Sequence, residues 1–117
     1  MAQIEIPESW RKQVCAILAT EATGSLIQWT NDAIKRYEAD SGFSWTYEAY
    51  QAFRNFLLGA HAHGCNVVMD KPVGETYEFY FPFKAVIFYG KILLRNDRRR
   101  VVIFSAHRPL KGKLSCE

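Results

Sequence analysis

The chain has 117 residues, of which 49% are hydrophobic and 15% aromatic, with a formal net charge of +3 at pH 7 and a pI near 8.8. That length fits one domain with its own core, and the apolar content excludes intrinsic disorder. No apolar run approaches the roughly 20 residues of a membrane helix, and "MAQIEIPESW" has neither the basic nor the apolar region of a secretory signal, so a cytoplasmic protein is expected. Cys15, Cys65 and Cys116 form no C-x-x-C pair; an odd, scattered set favours reduced thiols over a disulfide framework.

A first helix is predicted over residues 7 to 20, because Pro7 suits a first helical position and Trp10, Val14, Ile17 and Leu18 repeat at helical spacing. "EATGS" breaks it. A second helix is predicted from Leu26 to about Ala39, capped by Ser25 or Thr23, with Leu26, Trp29, Ala33 and Tyr37 on one stripe. A third begins near Thr46 and carries a broad Tyr50, Phe53 and Leu57 stripe. After "GAHAHG" the period changes to alternation. "CNVVMD", "TYEFYFPFK", "AVIFYGKILLR" and "RRRVVIFSAH" read as four strands separated by turn residues. Residues 1–117 are therefore expected to form a single α+β domain, with three N-terminal helices packed on one face of a four-stranded antiparallel meander.

The last two strands set up a chemical constellation. If Asn96, Asp97 and Arg98 form the turn, Tyr89 faces Ser105, Lys91 faces Ile103 and Ile87 faces His107. Tyr89, Lys91, Ser105 and His107 then share an open face, with Val102 and Phe104 on the helix side. The preceding strand adds Glu78 and Tyr80 to the same face. Such a set suits metal-free RNA cleavage. Glu78 or His107 would take the 2′-hydroxyl proton, Lys91 or Arg108 would stabilise the phosphorane, and a second acid would protonate the leaving 5′-oxygen. Tyr80 or Tyr89 would stack on a base or hold a phosphate.

Charge points the same way. Residues 84 to 117 hold nine Lys or Arg against two acids, while residues 1 to 83 hold six against ten. A concentrated positive region is the footprint of a polyanion partner, and Lys84, Arg95, Arg98, Arg99, Arg100 and Ser105 are the expected RNA contacts beside Tyr80. His61, His63 and Cys65 alternate as zinc ligands would, but no fourth ligand is evident, so neither a metal nor an organic cofactor is expected.

Helices followed by an antiparallel sheet, the strand "YGKILL" and a last strand ending "VVIFSAH" resemble the RelE and MqsR-type ribonuclease toxins, which group with barnase and the tRNA-cleaving colicins. The resemblance covers residues 65 to 110 best. It implies an endoribonuclease whose site includes Lys91 in the central strand and His107 with Arg108 at the end of the last, and an antitoxin protein as a neutralising partner. A non-catalytic RNA- or DNA-binding module and a protein-interaction domain are the alternatives.

Overall fold

The computed structural model describes residues 2–117. It contains three helices and one six-stranded mixed sheet, so the expected four-stranded antiparallel meander is corrected, while the α+β class stands. Helix α1 (Glu8–Leu18) follows Pro7 and buries Trp10, Val14, Cys15, Ile17 and Leu18. Ahead of it, the short strand β1 (Ile4–Glu5) pairs antiparallel with β3 (His63–Val67). Two residues are too few to carry an alternating pattern.

The second correction falls on residues 26 to 29. They form not the start of a helix but a turn residue, Leu26, followed by strand β2 (Ile27–Trp29), which runs parallel to β6 (Val101–His107). Along it Ile27 is buried, Gln28 exposed and Trp29 half-buried, which is strand alternation. Without β2, the outer N–H and C=O groups of β6 would be an unpaired edge. The helix α2 (Asn31–Ser41) starts only after Thr30, whose hydroxyl accepts from the Ala33 N–H. It stops at Gly42, whose φ of +72° is the left-handed conformation glycine adopts without a steric penalty. Helix α3 (Thr46–Leu57) begins where the spacing predicts, and the Glu48 carboxylate accepts from the Trp45 N–H at its start.

The sheet order is β1-β3-β4-β5-β6-β2, where β4 is Gly74–Phe83 and β5 is Val86–Arg95. Tyr77, Phe79, Phe81 and Phe83 of β4 all point to the helices, as their alternation requires. They meet Phe53 and Phe56 of α3 and Phe88 of β5 in a continuous aromatic core. Each such fully buried ring contributes about 2–3 kcal/mol. Gly90 lies beneath them in β5. A Cβ there would sit 2.8 Å from Phe53 and 2.9 Å from Phe79, so the absent side chain is what lets the rings close.

The expected set of three reduced thiols is also corrected. Cys65 in β3 and Cys116 near the C-terminus form a disulfide, with Cα atoms 5.7 Å apart, and only Cys15 is free. No helix among the described residues is long and apolar enough to cross a membrane.

Candidate active site

The connection between β5 and β6 differs from the three-residue turn. Arg95 N–H donates to Arg100 O, so four residues, Asn96 to Arg99, make the loop, and Arg98 takes a φ of +58°. The register beyond it is Leu94 opposite Val101, Leu93 opposite Val102 and Ile92 opposite Ile103. This is one residue away from the expected pairing. Val101 and Ile103 therefore join the helix-side core in place of Val102 and Phe104. Continued without interruption, it would also turn Ser105 and His107 toward the helices.

A β-bulge prevents that. The next pairs are Lys91 with Ser105, Gly90 with Ala106 and Tyr89 with His107, so Phe104 is an extra residue in β6. The shift restores the parity of the pairing, and Tyr89, Lys91, Ser105 and His107 do share the face opposite the helices. Across β4, β5 and β6 this face carries two cross-strand rows. One is Tyr80, Tyr89 and His107; the other is Glu78, Lys91 and Ser105.

Tyr89 connects the rows. Its hydroxyl donates to Glu78 Oε2 at 2.5 Å, and its ring centroid lies 5.6 Å from that of His107. The other Glu78 oxygen, Oε1, accepts the Ser115 N–H at 2.6 Å. Burial pushes the Glu78 carboxyl upward, but the hydrogen bonds from Ser115 and Tyr89, with the Lys91 ammonium, outweigh it and hold Glu78 below its ordinary value. Burial and the same carboxylate push the Tyr89 phenol far up, so it stays a donor. His107 Nδ1 lies 2.7 Å from the Arg108 carbonyl. A carbonyl only accepts, so Nδ1 carries a proton and Nε2 is left for other chemistry.

This face is not the open surface that a bare meander would offer. The chain after β6 turns back over it and encloses a cleft of about 530 Å³, floored by Glu78, Tyr80, Tyr89, Ser105 and His107. Lys111, Lys113, Leu114 and Ser115 of the returning tail line the other side, and Asp32 with Arg36 of α2 stand at its margin. Glu78 and His107 are each only 5% exposed.

The remaining predicted residues are not among those that line the cleft. Lys91 lies opposite Glu78 with its ammonium 5.7 Å from the Phe104 ring centre. The Arg108 side chain is exposed, and its backbone N–H donates to Asp40. Lys84 lies beyond the end of β4 on the helix side, bonded to Ser44 and paired with Glu48, so it is not part of the cleft. Arg95, Arg98, Arg99 and Arg100 cluster at the loop, the opposite end of the strands from His107. There Arg98 pairs with Glu75 and Arg100 with Asp97. His61 and His63 stack with centroids 6.5 Å apart, but Cys65 is committed to its disulfide and is no metal ligand.

The tail contributes functional groups that strand reasoning missed. Lys111 and Lys113 were visible as charge, but not as lining, because nothing in "PLKGKLSCE" fixes where an irregular segment returns. The signal that would have placed it is the Cys65–Cys116 pair. No protein family, characterised protein or solved structure matches the chain.

Proposed function

We propose that this protein is a metal-independent endoribonuclease working through Glu78 and His107. The observation that carries the reading is the position of Tyr89, hydrogen-bonded to one of these groups and in ring contact with the other, on the floor of a cleft lined by lysines. Glu78, held ionised, is in the protonation state a general base requires. It takes the proton of the 2′-hydroxyl as the 2′-oxygen bonds to phosphorus. His107, in its cationic form, is anchored through Nδ1 and gives its Nε2 proton to the 5′-oxygen as the P–O5′ bond breaks, which leaves a 2′,3′-cyclic phosphate. Lys91 beside Glu78 supplies positive charge for the phosphorane, and Lys111 and Lys113 of the tail supply contacts to the flanking phosphates. Tyr80, half-buried at the end of its row, offers a ring for base stacking.

The test is cleavage of RNA in EDTA by the wild-type protein, Glu78→Gln and His107→Gln, with product ends analysed. Each substitution should lower the rate by ~10²–10⁴-fold without loss of fold, measured by circular dichroism. His107→Gln is used because alanine would leave a void at a buried position. Full activity in either folded variant, or 3′ ends without cyclic phosphate, refutes the proposal. RNA binding with no cleavage by the wild-type protein, oxidised or reduced with dithiothreitol, favours the non-catalytic nucleic-acid module instead.

A further inference from the structure

The tail that encloses the cleft is fastened almost entirely at its tip. Residues 108 to 113 are all exposed, six in succession. Leu114 is then buried, Ser115 donates its N–H to Glu78 Oε1, and Cys116 is covalently joined to Cys65 of β3. The Glu117 carboxylate folds back to accept from the Leu114 N–H and from Gln3. A strap with a free span and a bonded end opens when its fastening is cut, because only one short contact set then opposes the entropy of the released segment.

We infer that the Cys65–Cys116 disulfide is a redox latch, which holds the C-terminal strap across Glu78 while oxidised and uncovers that carboxylate when cellular thiols reduce it. The inference rests on the ribonuclease reading only for its consequence: Ser115 occupies the Oε1 that would receive the 2′-hydroxyl proton. The reductant is a small-molecule thiol of the glutathione class. Its thiolate attacks the sulfur of Cys116, a residue that is partly exposed whereas Cys65 is 1% exposed. A mixed disulfide forms on Cys116, and the Cys65 thiolate leaves and takes up a proton. A second thiol then displaces Cys116, so two electrons and two protons enter the protein and one thiol disulfide forms. The direction suits the chemistry, since such bonds persist in oxidising surroundings and RNA is met in a reducing one.

The test compares oxidised wild-type protein, the same protein reduced with dithiothreitol, and Cys116→Ser, each by amide hydrogen exchange and by RNA turnover. The latch predicts that the Leu114 and Ser115 amides exchange at least ~10-fold faster in both unlatched forms while those of β4 and β5 stay protected, and that turnover rises by ~10-fold or more. Reduced wild-type protein answers the question if Cys116→Ser fails to fold. Unchanged tail protection overturns the latch, as does a released tail with equal or lower turnover. If no form cleaves RNA, the ribonuclease reading fails by itself. The latch is then judged by tail exchange together with the Glu78 carboxyl titration followed by NMR. That titration shifts on unlatching if Ser115 has let go, and its constancy overturns the latch.

Discussion

Cutting the Cys65–Cys116 bond has a stability consequence that can be worked out before any assay of function. The two cysteines are 51 residues apart. Cross-linking a loop of that length removes unfolded-state entropy equivalent to about 4 kcal/mol at 25 °C in the chain-entropy treatment. Unfolding entropy near 60 °C is about 2.1 cal/mol/K per residue, so this 117-residue domain changes its midpoint by roughly 15 °C for that energy. Calorimetry of the oxidised protein, the reduced protein and Cys116→Ser should therefore show the two unlatched forms melting about 15 °C lower, still cooperatively. Before reduction, a thiol titration in denaturant should find one thiol per chain, that of Cys15. Three thiols in oxidised protein, or midpoints within about 3 °C of each other, would refute the reasoning. The first result denies the bond, and the second denies that closing this loop constrains the unfolded chain.

Other perturbations separate core, charge and proton chemistry. Gly90→Ala should destabilise the fold by about 1–3 kcal/mol in urea unfolding, because the new methyl meets packed Phe53, Phe79 and Phe81 rings; an unchanged midpoint would show that those rings give way freely. Glu78 has a lowered folded value, so it contributes stability above its unfolded value near 4.5, and that contribution disappears as pH falls through the lower folded value. The melting-temperature gap between wild type and Glu78→Gln should accordingly be constant at neutral pH and narrow below 4.5, and a gap that widens on acidification contradicts the assigned hydrogen bonds. In RNA binding followed against salt, Lys111→Ala and Lys113→Ala should each reduce the log–log slope by about 0.7. Arg98→Ala, already paired with Glu75 at the far end of the strands, should leave it unchanged.

How far the sequence reveals this fold depends on whether a feature is local. The α3 stripe and the three long strands β4, β5 and β6 are legible because Tyr50, Phe53 and Leu57, or Tyr77 to Phe83, repeat at one period over many residues, whereas the strand expected over "CNVVMD" is in fact His63–Val67. Leu26 to Trp29 satisfy both periods. Leu26 and Trp29 sit three apart as on a helix, while Ile27 and Trp29 alternate as on a strand, and only the exposed edge of β6 decides between them. The Cys65–Cys116 bond has no local signal, since it depends on where a segment without regular structure returns. The grouping of Tyr89, Lys91, Ser105 and His107 on one face is as expected, yet the route to it is different. A four-residue loop shifts the register once and the Phe104 bulge shifts it again, and two odd shifts look, from the strand pattern, like none. Lys84 and the loop arginines join the site in the sequence by charge alone, and charge does not say which end of a strand a residue occupies.

The bulge has an evolutionary consequence. In an uninterrupted strand Val101, Ile103, Ser105 and His107 would all lie on one side, so any change that kept the first two in the core would carry the last two in with them. Phe104 resets the inside–outside count halfway along β6, and the strand becomes two independently inherited halves. In the first half Val101 and Ile103 answer to the packing of the helices; in the second only Ala106 does, and Ser105 and His107 answer to whatever chemistry the cleft performs. Substitutions in one half are free of the other, but a one-residue deletion at the junction exchanges their surroundings in a single event. Relatives of this chain should therefore conserve the number of residues between Ile103 and Ser105 more strictly than the identity of the residue that fills the gap.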